Sequence, residues 1–421
     1  MTVRSSMRRA LVIGLAGFSL VGALGGCGGA APRPVVPAPV GGLAPADDLG
    51  AAADGAKATP GAPGAATDPR ADAVDLGTIQ IKVVGTGADG EPQLVATEPG
   101  LLLERGAAEA KAGRADAAIA TFRELVRDFP DSPAAPVALA NIAIVEEGRR
   151  NIDGAVGAWL ERALEYPAGR DALEAHLRAA ALEAQRSGWP VAEGILGDIT
   201  ARADLTYADQ LEVWARLGYV QMQQGKDADA QASLDKALAA GKRAPRLADT
   251  YYAAMATYYA GELAHRKFAA ATLRADDAYL RPDLDAKEAL GDRAYAIWRD
   301  ALQFRQAYWA TASGYQMSNI FYDFWLATVR APYPTGLDPK ARAQYVVEVH
   351  ARVRDRLEKA LDGHRTNLEL AAAYGVDTYW SLESAARAVE ILRVLDAEDR
   401  GVYITPDHPD VPPAPAAAPT P

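Results

Sequence analysis

Cysteine is almost missing: Cys27 is the one thiol in 421 residues, so no intrachain disulfide can staple the fold in any compartment. Histidine is nearly as scarce. The five, His176, His265, His350, His364 and His408, form no His-Glu-x-x-His pattern and share no helix face at metal-ligand spacing. No Gly-x-Ser-x-Gly elbow and no Gly-x4-Gly-Lys-Ser/Thr loop occurs, which removes the α/β-hydrolase and P-loop signatures. Excess positive charge is lacking too: 44 Lys and Arg face 55 Asp and Glu, for a net charge of −11, with no basic stripe. A nucleic-acid partner is therefore excluded. The acidic stretch "DDAYLRPDLDAKE" lacks the central glycine and terminal glutamate of an EF-hand and reads as a solvated loop between helices. No catalytic group, metal or cofactor is expected. Carboxylates sit on every helix face, so they do not single out an acid–base pair.

What is present begins at the N-terminus. Arg4, Arg8 and Arg9 precede an apolar stretch, Ala10 to Leu24, that is too short for a comfortable membrane-spanning helix and has the order of a signal peptide. Leu24-Gly25-Gly26-Cys27 then resembles the bacterial lipobox. That resemblance implies cleavage after residue 26 and lipidation of Cys27, leaving no free thiol for zinc or nucleophilic chemistry in the mature protein. Gly28, where many inner-membrane lipoproteins carry Asp, implies an outer-membrane lipoprotein with its folded part in the periplasm. The residues alone leave an ordinary signal peptide with an incidental cysteine as the alternative.

Residues 27–76 are mostly Ala, Pro and Gly, a composition with too little to bury, and are expected to form a disordered spacer. The next stretch, 77–98, holds the only β-like pattern. Ile79, Ile81 and Val83 alternate, Ala88-Asp89-Gly90 suits a turn, and Leu94 to Thr97 supplies a second strand.

Residues 99–284 repeat. Ala118, Ala155 and Ala192 are 37 apart, as are Phe122, Trp159 and Leu196, and Pro130 and Pro167 keep that interval. A fourth unit places Trp214, Leu217, Gly218, Ala230 and Ala237 in register. Small residues recur where two helices would cross, a bulky residue fills the space beside them, and proline ends the second helix. This spacing resembles the tetratricopeptide (TPR) repeat, whose usual period is about 34. A generic helical-hairpin stack is the alternative. Gly113, Gly148, Gly188 and Gly225 lie near the expected turns. The resemblance implies a superhelix binding partners along the first helices, where Lys111, Glu147, Gln185, Tyr219 and Gln223 are expected to face.

Residues 285–398 are aromatic-rich. A long helix is expected from near Asp285, with Phe304, Tyr308, Thr311, Tyr315, Tyr322 and Trp325 on one stripe and Trp298, Leu302 and Trp309 on a second, both read as core. "APYPTGLDP" breaks it, and helices at roughly 340–374 and 377–397 follow. Residues 399–421 are expected to be a disordered tail. The fold class is thus all-α: a TPR-like helical solenoid, then a C-terminal helical bundle, with a small N-terminal β-hairpin.

The stretches "YWATASGYQMSNIFYDFW" and "YVVEVHARVRDRLEKALDGH" resemble envelope proteins of myxobacteria, among them TPR components of the gliding-motility machinery. The function this implies is a non-enzymatic, lipid-anchored periplasmic scaffold binding other envelope proteins. The alternatives are an adaptor in outer-membrane β-barrel assembly or secretin targeting, and a peptidoglycan hydrolase.

Overall fold

The structure, a computed structural model, describes residues 79–86, 91–244, 250–275 and 277–410. Cys27, the Ala/Pro spacer, the Ala88-Asp89-Gly90 turn and residues 411–421 lie outside them. Strands β1 (Gln80–Thr86) and β2 (Pro92–Thr97) pair antiparallel, Ile81 opposite Ala96 and Val83 opposite Leu94, with the register slipping between Val83 and Gly85.

Thirteen helices follow among the described residues, and the first ten form five hairpins. These are α1 (Pro99–Lys111) with α2 (Ala115–Asp128), α3 (Ala134–Gly148) with α4 (Ile152–Glu165), and α5 (Gly169–Gln185) with α6 (Trp189–Thr200). Then come α7 (Tyr207–Gln223) with α8 (Asp227–Arg243), and α9 (Tyr251–Ala270) with α10 (Asp277–Ala301). Helices α11 (Ala307–Val329), α12 (Pro339–Tyr374) and α13 (Tyr379–Asp399) close the stack as a bundle.

The crossings explain the repeat. A Cβ on Gly106 would lie 2.5 Å from the Phe122 ring, and one on Gly218 would lie 2.7 Å from Leu234 Cγ. Helix backbones meet where the first carries no side chain, and the bulky residue of the second fills the gap. Ala143 with Ala155 and Trp159, and Ala180 with Ala192 and Leu196, hold the same places in the second and third hairpins, and all are buried. Fully burying one such large side chain is worth roughly 1.5–3 kcal/mol. A single hairpin has one apolar face to cover, so stability comes from stacking, and one apolar cluster runs from Leu102 to Trp380.

Local signals agree with these limits. Thr206 and Asp209 form a reciprocal capping box on α7, as do Thr378 and Ser381 on α13. Asp338 caps α12 through the Ala341 amide at 2.7 Å, ahead of Pro339, and Gly375 ends that helix in the left-handed region.

The structure departs from the sequence reading in four places. The long helix from Asp285 is two helices, broken by a 3-10 turn at Leu302–Phe304 and by Arg305 at φ 54°. Its first part starts earlier and belongs to the fifth hairpin, so the hairpin stack runs past residue 284. "DDAYLRPDLDAKE" is not a loop: from Asp277 on it is the start of α10, where Asp283 takes bonds from the Arg274 amide and guanidinium. Residues 400–410, expected to be disordered, are ordered, and Ile404 is buried in a second apolar cluster with Trp325, Leu357 and Ile391.

The turn glycines are a finer correction. The left-handed residue falls at Gly113, Arg150, Ser187 and Gly225, at intervals of 37, 37 and 38, so Gly148 and Gly188 do not hold it. Gly188 has another role, since a Cβ there would run into Glu183.

Candidate functional site

The first helices of successive hairpins meet, α1 with α3 and α7 with α9 by direct packing, α3 with α5 and α5 with α7 through the pairs Glu147–Arg178 and Arg170–Asp209, and their facing side chains form a seam along the stack. Of the five residues expected there, Lys111 and Gln185 are exposed and Gln223 is half-buried. Glu147 is engaged inside the seam. It accepts Trp159 Nε1–H at 2.8 Å and pairs with Arg178 on the next first helix through Nε and Nη2, one edge of the guanidinium. Tyr219 must be corrected: it is 4% exposed and packed edge-on to Trp189 at 5.9 Å, so it does not present a surface.

Most charged groups on the seam are likewise satisfied within the fold. Arg170 on α5 reaches Asp209 on α7 at 2.9 Å. Arg216 on α7 pairs with Glu212 and also donates to the Tyr252 hydroxyl on α9. Burial pushes the Tyr252 phenol upward, against the smaller opposing pull of the Arg216 charge. These bonds fix the hairpin-to-hairpin register more than they offer a ligand anything.

Sequence reading missed a polar position beside the crossings. Glu109, Glu146, Glu183 and Gln221 stand 37, 37 and 38 apart near the ends of the first helices. Thr121 donates to Glu109 at 2.7 Å and Ser233 to Gln221 at 2.7 Å, at the same offset of 12. The interval that located the alanines would have located these.

An aromatic row occupies the C-terminal half of the seam. Tyr219 meets Tyr259 at 4.9 Å between ring centres, Tyr259 meets Trp309 at 5.6 Å, and Tyr258 meets both Trp309 at 5.3 Å and Trp380 at 5.9 Å. It joins α7, α9, α11 and α13. Trp298, Trp309 and Trp325 are at most 1% exposed and Thr311, Tyr315 and Tyr322 are buried, so most of both expected stripes is core, while Leu302, Phe304 and Tyr308 are half-buried. Such ring pairs add about 0.5–1.5 kcal/mol each beyond area burial.

Beside this row α9 and α11 run a polar stripe against each other. From α9 come Tyr258, Glu262 and His265, one helical face at spacings of four and three. From α11 come Gln316, Asn319 and Asp323 at spacings of three and four. Gln316 Nε2 donates to the Tyr258 hydroxyl at 3.3 Å, and His265 Nε2 lies 3.4 Å from Asp323 Oδ2. Asn319 Nδ2 donates to the same Asp323 oxygen at 2.9 Å. These contacts bracket Glu262 at the level of Gln316 and Asn319. Burial pushes its carboxyl up to about 7, partly countered by His265 and the Tyr258 hydroxyl.

Two histidines in the bundle have different surroundings. His350 is buried, with Nδ1 2.6 Å from Glu398 Oε1 and Nε2 2.7 Å from the Ile404 carbonyl, so it ties the C-terminal segment to α12. His364 is fully buried against Tyr315, and burial, with the Arg387 charge, pulls its pKa down to about 3. A cavity of about 350 Å³ lies between α10, α11 and α12, floored by Leu280, Leu284, Phe324 and Val349. At its rim Arg356 covers the Phe324 ring and pairs with Glu288. Among the described residues no group of three or more His, Cys, Asp or Glu is placed to hold a metal, and no helix is long and apolar enough to cross a membrane.

No family model and no curated protein matches this chain. Similar solved structures include a double mutant of MamA (RS-1 ArsTM), 15% identical, with a TM-score of 0.31, covering 48% of this chain and 95% of the other. A tetratricopeptide repeat protein from Parabacteroides merdae is 10% identical at a TM-score of 0.31, covering 69% of this chain and 98% of its own. With superpositions this loose, the TPR-like character of the stack rests on its own crossings at Gly106–Phe122 and Gly218–Leu234.

Proposed function

We propose that this chain is a non-enzymatic scaffold that binds other proteins along its stacked first helices and is held at the cell envelope by lipid on Cys27. The observation that carries the scaffold is the stack itself. Five hairpins with one crossing geometry build a long rigid face, and Lys111, Gln185 and Gln223 remain accessible on it. A solenoid of this kind has little use for an extended face other than contact with extended partners. The anchor rests on sequence: Leu24-Gly25-Gly26-Cys27 follows a basic and then an apolar segment. Gly28 favours the outer membrane, with the folded part in the periplasm. The resemblance to myxobacterial envelope proteins makes a gliding-motility complex the assembly to examine first.

The test is affinity purification of the tagged protein from detergent-extracted membranes, with mass spectrometry of what accompanies it. Recovery of trans-envelope motility subunits supports the reading. Recovery of the β-barrel assembly machinery moves the protein to an adaptor role, and a solitary protein overturns the scaffold. Cys27→Ala, followed by membrane fractionation, tests the anchor separately: the variant is expected in the soluble fraction.

A further inference from the structure

On the stripe between α9 and α11, Glu262 Oε1 and Asn319 Oδ1 are both shut off from solvent, and neither takes a hydrogen bond. Asn319 is 8% exposed, so its carbonyl oxygen is a buried acceptor with nothing to accept from. Leaving such a group unpaired disfavours the fold, and native proteins rarely tolerate it without a purpose.

The surroundings are rich in acceptors and short of donors. Glu262 and Asp323 bring carboxylates. The Asn319 amide and His265 Nε2 are both directed at one Asp323 oxygen, and the Tyr258 hydroxyl and Gln316 amide are directed at each other and at the Glu262 carboxyl, whose Oε1 still takes no bond. The nearby cation, Lys287, is turned elsewhere: its Nζ donates to the Phe268 carbonyl at 2.7 Å and the Ala271 carbonyl at 2.8 Å. What the stripe lacks is a compact group carrying several N–H donors and a positive charge, which is the inventory of an ammonium or guanidinium.

Access is graded in the right direction. The side chains of His265 and Asp323 are 21% and 30% exposed and form a mouth, while Gln316 and Asn319 close the floor. At the mouth the His265 ring is held in place by two buried rings, stacked on Phe268 at 5.4 Å and 5.5 Å from Trp298.

We propose that the α9–α11 stripe receives a lysine or arginine side chain of a protein partner, its cationic head on Glu262 Oε1 and Asn319 Oδ1 and Asp323 at the entrance. The source, a protein rather than a free amine, rests on the scaffold reading above; the cation chemistry does not. Because burial holds the Glu262 carboxyl up to about 7, an arriving cation displaces its proton, and binding strengthens as pH rises through that value. The groups facing Glu262 that share in this balance are Tyr258, Tyr259, His265 and Arg266 on its own helix and Gln316 on α11.

The experiment is calorimetric titration of the full chain with the tripeptides Gly-Arg-Gly, Gly-Lys-Gly and, as a neutral isostere of the first, Gly-citrulline-Gly. Saturable binding of the two cationic peptides, about tenfold tighter at pH 8 than at pH 6, is expected. Glu262→Gln should weaken it about tenfold, since one charge-assisted contact becomes neutral. Asp323→Asn, at the exposed mouth, should weaken it less. Equal binding of the citrulline peptide, or no saturable binding of either cation, overturns the proposal, and that comparison needs no variant to fold. Spermidine binding more tightly than both peptides would overturn the protein source and assign the stripe to free polyamines. Peptide binding with no captured envelope protein would sink the scaffold while leaving the cation site standing.

Discussion

Trp298 sits against Gly261 as Phe122 sits against Gly106: a Cβ on Gly261 would fall inside the indole, and the Trp298 N–H donates to the Tyr258 carbonyl at 3.2 Å. The fifth hairpin therefore makes the crossing of the first and fourth, although its partners are 37 residues apart rather than 16. Gly261→Ala is expected to destabilise the protein by about 1–3 kcal/mol, because the indole is 0% exposed and has nowhere to move. Gly157, on α4, has open space where its Cβ would be, and Gly157→Ala should instead stabilise by about 0.5–1 kcal/mol. Urea midpoints at unchanged slope would decide both; the same sign for the two variants would refute the crossing.

Arg150 and Ser187 stand where the first and fourth turns use glycine, with φ of 62° and 67°. A left-handed residue bearing a Cβ costs about 1–2 kcal/mol, and glycine's larger unfolded-state entropy returns part of that. Arg150→Gly and Ser187→Gly should each raise stability by about 0.5–1 kcal/mol, additively, since they lie in separate hairpins. Thermal melts of the singles and the double variant are the check.

Glu262 predicts a pH dependence of definite sign. Its carboxyl, ordinarily near 4.5, is raised to about 7 in the fold, so between those values the folded chain holds a proton that the unfolded chain releases. Stability must fall as pH rises through that window, by up to about 3 kcal/mol. The difference in unfolding free energy between wild type and Glu262→Gln, measured from pH 4.5 to 8, should carry that slope. A flat difference would show that the carboxylate is solvated.

His364 acts on the acid side with the opposite slope. Its pKa is lowered from 6.5 to about 3, so below pH 6.5 the unfolded chain takes up a proton that the folded chain refuses. The stability present above pH 6.5 is lost as pH falls toward 3, by up to about 4 kcal/mol. His364→Gln should flatten this limb in acid titrations followed by circular dichroism.

Glu147 holds two donors, Trp159 Nε1 and the Arg178 guanidinium. Glu147→Ala leaves both without their acceptor and should cost about 2 kcal/mol. Partner capture by the folded variant should be unchanged if the residue serves packing, as its contacts indicate.

The sequence by itself determined the hairpin stack, because a helix crossing is a local affair. It needs a small residue at one place, another 12 positions later and a bulky one four beyond that, and the recurrence of Ala118, Ala155 and Ala192 writes this out in one dimension. Two C-terminal helices were legible in the same way, from proline breaks and apolar spacing. Three things were decided only by tertiary structure. The fifth hairpin pairs Gly261 with a tryptophan far along the chain, which no fixed interval reveals. The break at Arg305 carries no proline or glycine, and its tertiary partner is Thr250, which donates to the Phe304 carbonyl and accepts from the Gln306 amide. Tyr219 has the pattern of an exposed seam residue, yet the rings of Trp189 and Tyr259 converge on it from other hairpins. The candidate cation site belongs to this second class: Glu262 and Asn319 are ordinary polar residues in the sequence, and packing α9 on α11 is what buries their oxygens and leaves them without donors.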